Sequence, residues 1–334
     1  MSIRTRILIL NGTCLDVVEH HRAWLASLEA EIIADPSHRH IDPDRMGDVL
    51  AGAQGVIVPT SAPIRPCHME TSPDLQVISI AASGYESVDL DAATRCGIVV
   101  TNAPIREGTE VVADLTWGLI LAVTRQVPYH NRLLQAGRYE RGMGVAVWGK
   151  TLGIVGLGRI GKAVARRARG FEMNVLATET APDHHFVRTH GIELVSLDDL
   201  LRRADIVSLH LRIDPQTKGI IGVRELSLMK PSAYLINTAR RELVDELALQ
   251  EALLSGRIAG AAVDDPPTVK DSPLLKRPNF VCTPHLGNRA IEGADAVFRC
   301  AVENALAVLQ GRRIEYVLNP QVYNGPLRAR RPVG

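Results

Sequence analysis

The sequence has few features of secreted, membrane-spanning or metal-binding proteins. Its five cysteines (Cys14, Cys67, Cys96, Cys282 and Cys300) are dispersed and never form a C-x-x-C pair. An odd, scattered set argues against a disulfide framework or a zinc site and favours a reducing compartment. Apolar runs such as 117–123 are much shorter than the roughly 20 residues that span a bilayer, and the N-terminus has no secretory signal pattern. We therefore expect a cytoplasmic protein.

An excess of charge of one sign is also missing, since the net charge is +1. Such a chain has no general electrostatic attraction to nucleic acid or to an anionic membrane, so we expect neither as a partner. Hydrophobic residues make up 46% of the chain and charged residues 22%, as in ordinary globular proteins. The length of 334 residues favours two domains.

What the sequence does contain is an alternation of short apolar runs with amphipathic stretches, which is typical of an α/β fold with parallel sheets. In the first third, the pattern predicts strands at 7–10, 55–58, 76–80 and 98–101, with helices at 15–30 and 42–51. A long helix over 110–135 should break or kink at Pro128. After a glycine-rich connector, strands are predicted at 151–155, 174–177, 205–209, 233–237, 258–263 and 280–283, and a last helix at 290–309.

The alternation indicates two α/β domains, one inserted into the other. We predict that residues 103–288 form one domain and that residues 1–102 plus 289–334 form a discontinuous second one. The last helix would then pack on residues 1–102. The tail from Arg312 onward is expected to be irregular, and Arg328, Arg330 and Arg331 to be disordered.

The most specific motif is the glycine pattern that follows the strand at 151–155. Gly156, Gly158 and Gly161 form G-x-G-x-x-G between an apolar strand and an amphipathic helix, the context that a dinucleotide site requires. The first glycine permits a tight turn, the second lets the backbone approach a pyrophosphate, and the third lets the helix pack closely on the strand. Backbone N–H groups at the helix N-terminus would bind the phosphates.

Glu179 closes the next predicted strand and bears on the choice of cofactor. A carboxylate there can hydrogen-bond the ribose hydroxyls and would repel a 2′-phosphate, so NAD is favoured over NADP. Thr180 and Arg188 lie close to Glu179 in the sequence, so binding of NADP stays open.

Polar residues follow three further predicted strands, where open α/β sheets bind ligands. These residues are Arg240 after the strand at 233–237, Asp264 and Asp265 after 258–263, and His285 after 280–283. Arginine can hold a carboxylate through two hydrogen bonds and polarise an adjacent carbonyl. Histidine can exchange the proton that accompanies hydride transfer, because its pKa lies near neutrality. The combination suits hydride transfer at a hydroxy or keto carbon.

With these motifs the sequence resembles the D-isomer-specific 2-hydroxyacid dehydrogenases, a family that includes phosphoglycerate, glycerate and phosphite dehydrogenases. The matching segments are 89–104, 149–165, 210–222, 228–240, 243–246 and 283–287. The resemblance implies two Rossmann-like, doubly wound parallel-sheet domains, with the NAD-binding domain inserted in a flavodoxin-like catalytic domain. It also implies a homodimer and a small anionic substrate.

The resemblance further implies roles for individual residues. Arg240 would bind the carboxylate and carbonyl of the substrate, and His285 would be the acid/base. Backbone N–H groups of Ser83, Gly84 and Tyr85 would hold the substrate carboxylate. The implied cofactor-binding set is Thr109, Gly156, Gly158, Arg159, Ile160, Gly161, Glu179, His210, Thr217, Thr238, Asp264, His285 and Gly287, with Asp264 at the nicotinamide carboxamide and His210 and Thr217 on the adenosine side.

One departure from the family concerns the partner of the histidine. The family has a Glu a few residues after the strand that ends at Asp264, whereas this loop is about three residues shorter and has Val269 where the acid usually falls. Without a carboxylate, the imidazole would lose its fixed tautomer and the charge that raises its pKa. Asp265 could substitute if its side chain turns inward. Arg241 stands where the family has Gly, and it either hints at a dianionic substrate or points to solvent.

We expect no metal, because histidines in loops, here His38, His40, His184 and His185, are usually solvated. The sequence thus predicts an NAD-dependent oxidoreductase acting on a small 2-hydroxy or 2-oxo acid, such as a phospho- or phosphono-acid, with Arg240, His285 and Asp265 at its catalytic centre. The alternative, suggested by the missing Glu, is a catalytically impaired NAD(H)-binding regulatory or sensor protein of the same fold.

Overall fold

The computed structural model describes residues 5–10, 12–39, 41–62, 64–269 and 271–327. The chain divides into two compact units, one made of residues 1–108 and 291–334 and the other of residues 109–290. The second unit therefore interrupts the first along the sequence. His40 and the three arginines of the predicted tail, Arg328, Arg330 and Arg331, lie outside the described residues.

The first unit contains a five-stranded parallel sheet. Its strands are β1 (Thr5–Ile9), β2 (Ala30–Ile33), β3 (Gly55–Val58), β4 (Val77–Ile80) and β5 (Val99–Asn102). They lie in the order β2-β1-β3-β4-β5, and every pairing is parallel. This is the flavodoxin-like order that the resemblance implied. All residues of β3, β4 and β5 are buried, as apolar strands covered on both faces require.

The helices of the first unit come from both ends of the chain. They are α1 (Gly12–Ala26), α2 (Met46–Leu50), α3 (Pro66–Glu70), α4 (Leu90–Arg95) and, near the C-terminus, α12 (Ile291–Leu309). Phe298 and Val302 of α12 share a buried cluster with Ile7 and Ile9 of β1. A buried hydrogen bond from Ser79 Oγ of β4 to the carbonyl of Ala301 (2.7 Å) also joins α12 to the sheet.

The second unit contains a seven-stranded parallel sheet. Its strands are β6 (Thr151–Val155), β7 (Asn174–Thr178), β8 (Glu193–Leu194), β9 (Ile206–Leu209), β10 (Tyr234–Asn237), β11 (Gly260–Val263) and β12 (Phe280–Cys282). Their order is β12-β11-β10-β9-β6-β7-β8. Counted from β6, this is the strand order of the Rossmann fold, with the switch point between β6 and β9. The predicted fold class is confirmed.

Helices connect these strands. They are α5 (Arg106–Thr124), α6 (Val127–Gln135), α7 (Arg159–Ala168), α8 (His184–Thr189), α9 (Leu197–Arg203), α10 (Val223–Leu228) and α11 (Glu246–Leu254). Two of these helices begin at a side-chain cap: Ser196 accepts from the backbone N–H of Asp199, and Asp245 accepts from those of Leu247 and Ala248.

Three local predictions need correction. The helix predicted at 15–30 ends at Ala26, and Ala30 instead begins β2, an edge strand that the helical spacing of the apolar residues concealed. The break predicted within 110–135 is confirmed, but it lies at Gln126, whose φ is 52°, so Pro128 falls in the first turn of α6. The two-residue strand β8 was also missed. No described helix has the length and apolar character needed to cross a bilayer.

Candidate active site

The glycine motif forms the turn between β6 and α7. Gly156 has a φ of +93°, and a Cβ there would come within 2.9 Å of the His210 carbonyl oxygen. A Cβ on Gly161 would collide with the Gly156 carbonyl oxygen. A Cβ on Gly158 would meet nothing within 4 Å, and this residue is exposed at the start of α7. The first and third glycines are therefore required by the turn itself, whereas the second leaves open space beside helix N–H groups, as a pyrophosphate needs.

Glu179, which follows β7, is held beside this turn by backbone donors. Its Oε2 accepts from the N–H of Leu157 at 2.9 Å, and its Oε1 accepts from those of Thr180 and Ala181 at 2.8 and 3.1 Å. Burial alone would raise the pKa of the Glu179 carboxyl, but the hydrogen bonds from Ala181, Thr180 and Leu157 outweigh it and lower that pKa. The carboxylate is therefore ionised at neutral pH, and Oε2 retains acceptor capacity next to the glycine turn.

His210 and Thr217, predicted for the adenosine side, differ in their surroundings. His210 follows β9, and its carbonyl oxygen is the neighbour of Gly156 described above. Its Nε2 lies 2.8 Å from Ser208 Oγ, and burial lowers its pKa to about 3, so the imidazole is neutral. The Thr217 hydroxyl donates to the Arg212 carbonyl at 2.7 Å, which ties it within its own loop.

Arg240 is positioned by a loop that the Asn237 side chain organises. The Asn237 carboxamide, at the end of β10, accepts from the N–H of Ala239 at 3.0 Å and donates to the Arg240 carbonyl at 2.8 Å. Asn237 is buried, so these two bonds satisfy groups that would otherwise be costly in the interior. Thr238 is also buried, and its Oγ1 lies 2.8 Å from Thr116 Oγ1 of α5. No role for Asn237 was predicted from the sequence, although it lies directly before Thr238.

The loop that carries His285 is held by the Asp264 carboxylate. Oδ1 accepts from Thr283 Oγ1 at 2.6 Å and from the Leu286 N–H at 2.7 Å, and Oδ2 accepts from the Gly287 N–H at 2.7 Å. His285 itself has a φ of +56°, a left-handed conformation that is uncommon outside glycine. Such conformations persist only where the surroundings impose them, and these three bonds do so.

His285 lies against Asp265, the residue after Asp264. Its Nδ1 is 2.9 Å from Asp265 Oδ1, so an Nδ1–H donates to the carboxylate and Nε2 is left as the reactive nitrogen. The hydrogen bond that His285 donates to Asp265 is the main reason that the pKa of His285 is raised above its ordinary value. Burial and the charge of Arg240 oppose this effect, and the charges of Asp265 and Asp264 support it.

The Asp265 carboxyl is correspondingly held in its ionised form. Burial would raise the pKa of Asp265, but the hydrogen bond and charge of His285, followed by the charge and backbone N–H of Arg241, lower it overall. The sequence left open whether the Asp265 side chain turns inward, and in the structure it does. Val269, where the family acid usually falls, is exposed.

The other predicted residues are distributed between the two units. Ser83, Gly84 and Tyr85 follow β4 in the first unit, where Asn102 Nδ2 donates to the Ser83 carbonyl at 2.7 Å. Thr109 is buried in α5, at the start of the second unit. Arg159 and Ile160 open α7, and Gly287 is buried beside Asp264. Among the described residues, no group of three or more potential metal ligands comes together.

Comparison with known proteins identifies the family of the chain. A family model described as D-isomer specific 2-hydroxyacid dehydrogenase, NAD binding domain, matches residues 117–287. The D-3-phosphoglycerate dehydrogenase of Methanocaldococcus jannaschii is 40% identical over 271 residues, which are 78% of this chain and 51% of that protein. The glyoxylate reductase of Korarchaeum cryptofilum is 38% identical over 262 residues, 76% of this chain and 79% of that protein.

A solved structure is also similar along most of the chain. The crystal structure of the TT0316 protein from Thermus thermophilus has a TM-score of 0.82 and 35% identity, and the match covers 94% of this chain and 100% of that one. The chain spans about half the length of the phosphoglycerate dehydrogenase named above and about four fifths of the glyoxylate reductase. The chain therefore belongs to the D-isomer-specific 2-hydroxyacid dehydrogenases, a family of NAD-dependent oxidoreductases, and its second unit contains the family's NAD-binding domain.

Proposed function

We propose that the protein transfers hydride between NAD and C2 of a small 2-hydroxy or 2-oxo acid. The observation that carries the proposal is the contact of 2.9 Å between His285 Nδ1 and Asp265 Oδ1. It gives the imidazole a fixed tautomer and a raised pKa, which are the properties that the missing family Glu would otherwise supply.

The residues divide the work in the following way. NAD, when bound, accepts or supplies the hydride. Arg240 binds the substrate carboxylate and polarises the C2 oxygen, because its guanidinium can donate two parallel hydrogen bonds. In reduction, the His285 imidazolium gives its Nε2 proton to the forming alkoxide, and in oxidation the neutral imidazole removes that proton from the hydroxyl. Asp265 stabilises the imidazolium through Nδ1–H without itself becoming protonated.

The substrate-binding role of Ser83, Gly84 and Tyr85 remains part of the proposal. Ser83 is exposed, and Gly84 and Tyr85 are half-buried, after the carboxyl end of β4. Ligands of doubly wound folds bind at such strand ends. We propose that residues 1–102 with 289–334 form the substrate-binding domain and that residues 103–288 form the cofactor-binding domain.

For the substrate class, we rely on the names of the relatives and on the charges near Arg240. The names of the relatives cover a phosphorylated acid and a two-carbon oxo acid. Arg241 adds a second cation next to Arg240, but its Nη1 lies 3.5 Å from Thr268 Oγ1, on the loop after Asp265. This position supports a role for Arg241 beside Asp265 rather than at the substrate. The substrate panel should still include phospho- and phosphono-acids.

We also propose a cytoplasmic homodimer. All five cysteines are free, which suits a reducing compartment. Several large apolar side chains are exposed on α6 and the following connector, namely Val127, Leu134, Tyr139, Met143 and Trp148. Exposed apolar patches are typical of protein interfaces, so we propose that these side chains contribute to the dimer contact. Light scattering during size-exclusion chromatography should give twice the monomer mass, and W148E or M143E should reduce it.

The decisive experiment is a substrate panel followed by NADH absorbance. We expect turnover of at least one 2-oxo acid with NADH. The alternative is the NAD(H)-binding sensor, and it predicts tight NADH binding by calorimetry with no turnover across the panel, phosphonates included. That result with correctly folded protein would overturn the proposed activity.

A further inference from the structure

The loop between Asp265 and Thr268 is short and stiff. Its two intermediate residues are Pro266 and Pro267, which fix φ and have no N–H group to donate. A proline also restricts the residue that precedes it, here Asp265, to extended conformations. The first backbone donor after Asp265 is therefore the N–H of Thr268, and whatever fixes Thr268 also restricts the position of Asp265.

Thr268 is fixed by the carboxylate of Glu246. The backbone N–H of Thr268 donates to Glu246 Oε1 and Oε2 at 3.0 and 3.1 Å, and its hydroxyl donates to Oε2 at 2.6 Å. Hydrogen bonds to an ionised acceptor are short and roughly twice as strong as neutral ones.

Glu246 is well placed to serve as an anchor. It is the first residue of α11, and Asp245, the N-cap, already accepts from the Leu247 and Ala248 N–H groups. Asp245 therefore performs the capping, and the Glu246 carboxylate can accept from the loop, while a negative charge at this helix end is itself favourable. Arg241 completes the arrangement, because its Nη1 approaches Thr268 Oγ1 at 3.5 Å and its backbone N–H donates to Asp265.

We propose that Glu246 and Thr268 are positioning residues that hold Asp265 against His285 through the two intervening prolines. In this chain Asp265, the partner of His285, lies on the loop directly after Asp264. Glu246, at the start of α11, holds that loop in place. This inference rests on the proposed role of His285 as acid/base.

Glu246 and Thr268 should therefore influence the pKa of His285 without touching it. The charged groups that face His285 are Asp265, Asp264 and Arg240. Releasing Thr268 leaves Asp264 and Arg240 in place but loosens Asp265, the group that contributes most to the raised pKa of His285. The imidazolium should then lose its proton at lower pH.

The test is a proton NMR titration of the His285 imidazole, assigned with H285Q, in variants that change the anchor. D265N sets the full downward shift of the His285 midpoint. E246A and T268V should each shift it downward by a part of that amount, with E246A the larger because it removes all three acceptor contacts. E251A is the matched control, since Glu251 is exposed on the same helix, and it should leave the midpoint unchanged.

A shift in D265N with none in E246A or T268V would overturn the inference, since Asp265 would then stay in position without the anchor. A shift in E251A equal to that in E246A would also overturn it, because the effect would then be a general one of charge on α11. Thermal unfolding confirms that each variant is folded. The titration needs no turnover, so an inactive wild-type protein would contradict the proposed function without deciding this inference.

Discussion

In the seven-stranded sheet, the residues after β6 and β7 are positioned in a different way from those after β10, β11 and β12. After β6 and β7, the structure depends on backbone shape: glycines at 156 and 161 permit the turn, and Glu179 is held by backbone N–H groups. After β10, β11 and β12, it depends on side chains from separate loops, each supported by a buried polar residue such as Asn237 or Asp264. A steric requirement tolerates almost no variation, whereas a side-chain role can move to another residue, as we propose that it has moved to Asp265.

This contrast predicts that the largest loss comes from the side-chain half. H285A removes the group that exchanges a proton with substrate, and general acid–base catalysis contributes about 10²–10⁴-fold. We expect kcat to fall by that order in steady-state assays with NADH and the best 2-oxo acid. NADH affinity by calorimetry should change far less than kcat, because the other residues of the cofactor-binding set are intact. A variant with wild-type kcat would refute the assignment of His285.

R240A should lower activity mainly by raising KM. In the proposed mechanism, Arg240 binds the substrate carboxylate in both the ground state and the transition state, and hydrogen bonds to charged groups are worth about 1.5–3 kcal/mol each. We expect KM to rise by about 100-fold, with a smaller change in kcat. R241A is the control on the neighbouring residue and should affect KM less for a monoanionic substrate. Equal effects of both variants would mean that Arg241 also binds substrate.

D265N should produce a smaller loss together with a change in pH dependence. Reduction needs protonated His285, so activity falls as pH rises through the pKa of that group. Because Asp265 raises this pKa, its replacement moves the falling limb to lower pH and lowers kcat by roughly tenfold at neutral pH. Rate–pH profiles of both proteins check the direction. A limb that stays in place would show that another acid serves His285.

The same contrast explains which features the sequence could predict. The parallel sheets and the glycine turn follow from periodicity and from positions that only glycine can occupy, so those predictions were correct. The Asp265–His285 contact could be raised only as an option, because it depends on how a shortened loop with two prolines turns its side chains. The contact of Thr268 with Glu246 joins residues 22 apart in sequence, and no local pattern indicated it. Edge strand β2 was missed because its residues also fit the helical spacing of α1.

The glycine turn offers a prediction that separates folding from cofactor binding. G161A should destabilise the protein, because the new Cβ would collide with the Gly156 carbonyl oxygen. G158A should leave thermal unfolding nearly unchanged, since its Cβ meets nothing within 4 Å, yet weaken NADH binding by about tenfold, or about 1.4 kcal/mol, because it occupies the approach of the pyrophosphate. Equal loss of stability in both would show that Gly158 is structural.

The choice between NAD and NADP should depend on the charge of Glu179. Glu179 is ionised and has acceptor capacity beside the glycine turn, so it can bind ribose hydroxyls and repel a 2′-phosphate. E179Q keeps the shape and removes the charge, and it should reduce the preference for NADH over NADPH by about tenfold through improved use of NADPH. Ratios of kcat/KM for the two cofactors measure this, with E172Q, an exposed glutamate before β7, as the control. If the ratio is unchanged in E179Q, specificity depends on the shape of the turn, and this half of the site would owe its selectivity to backbone geometry alone.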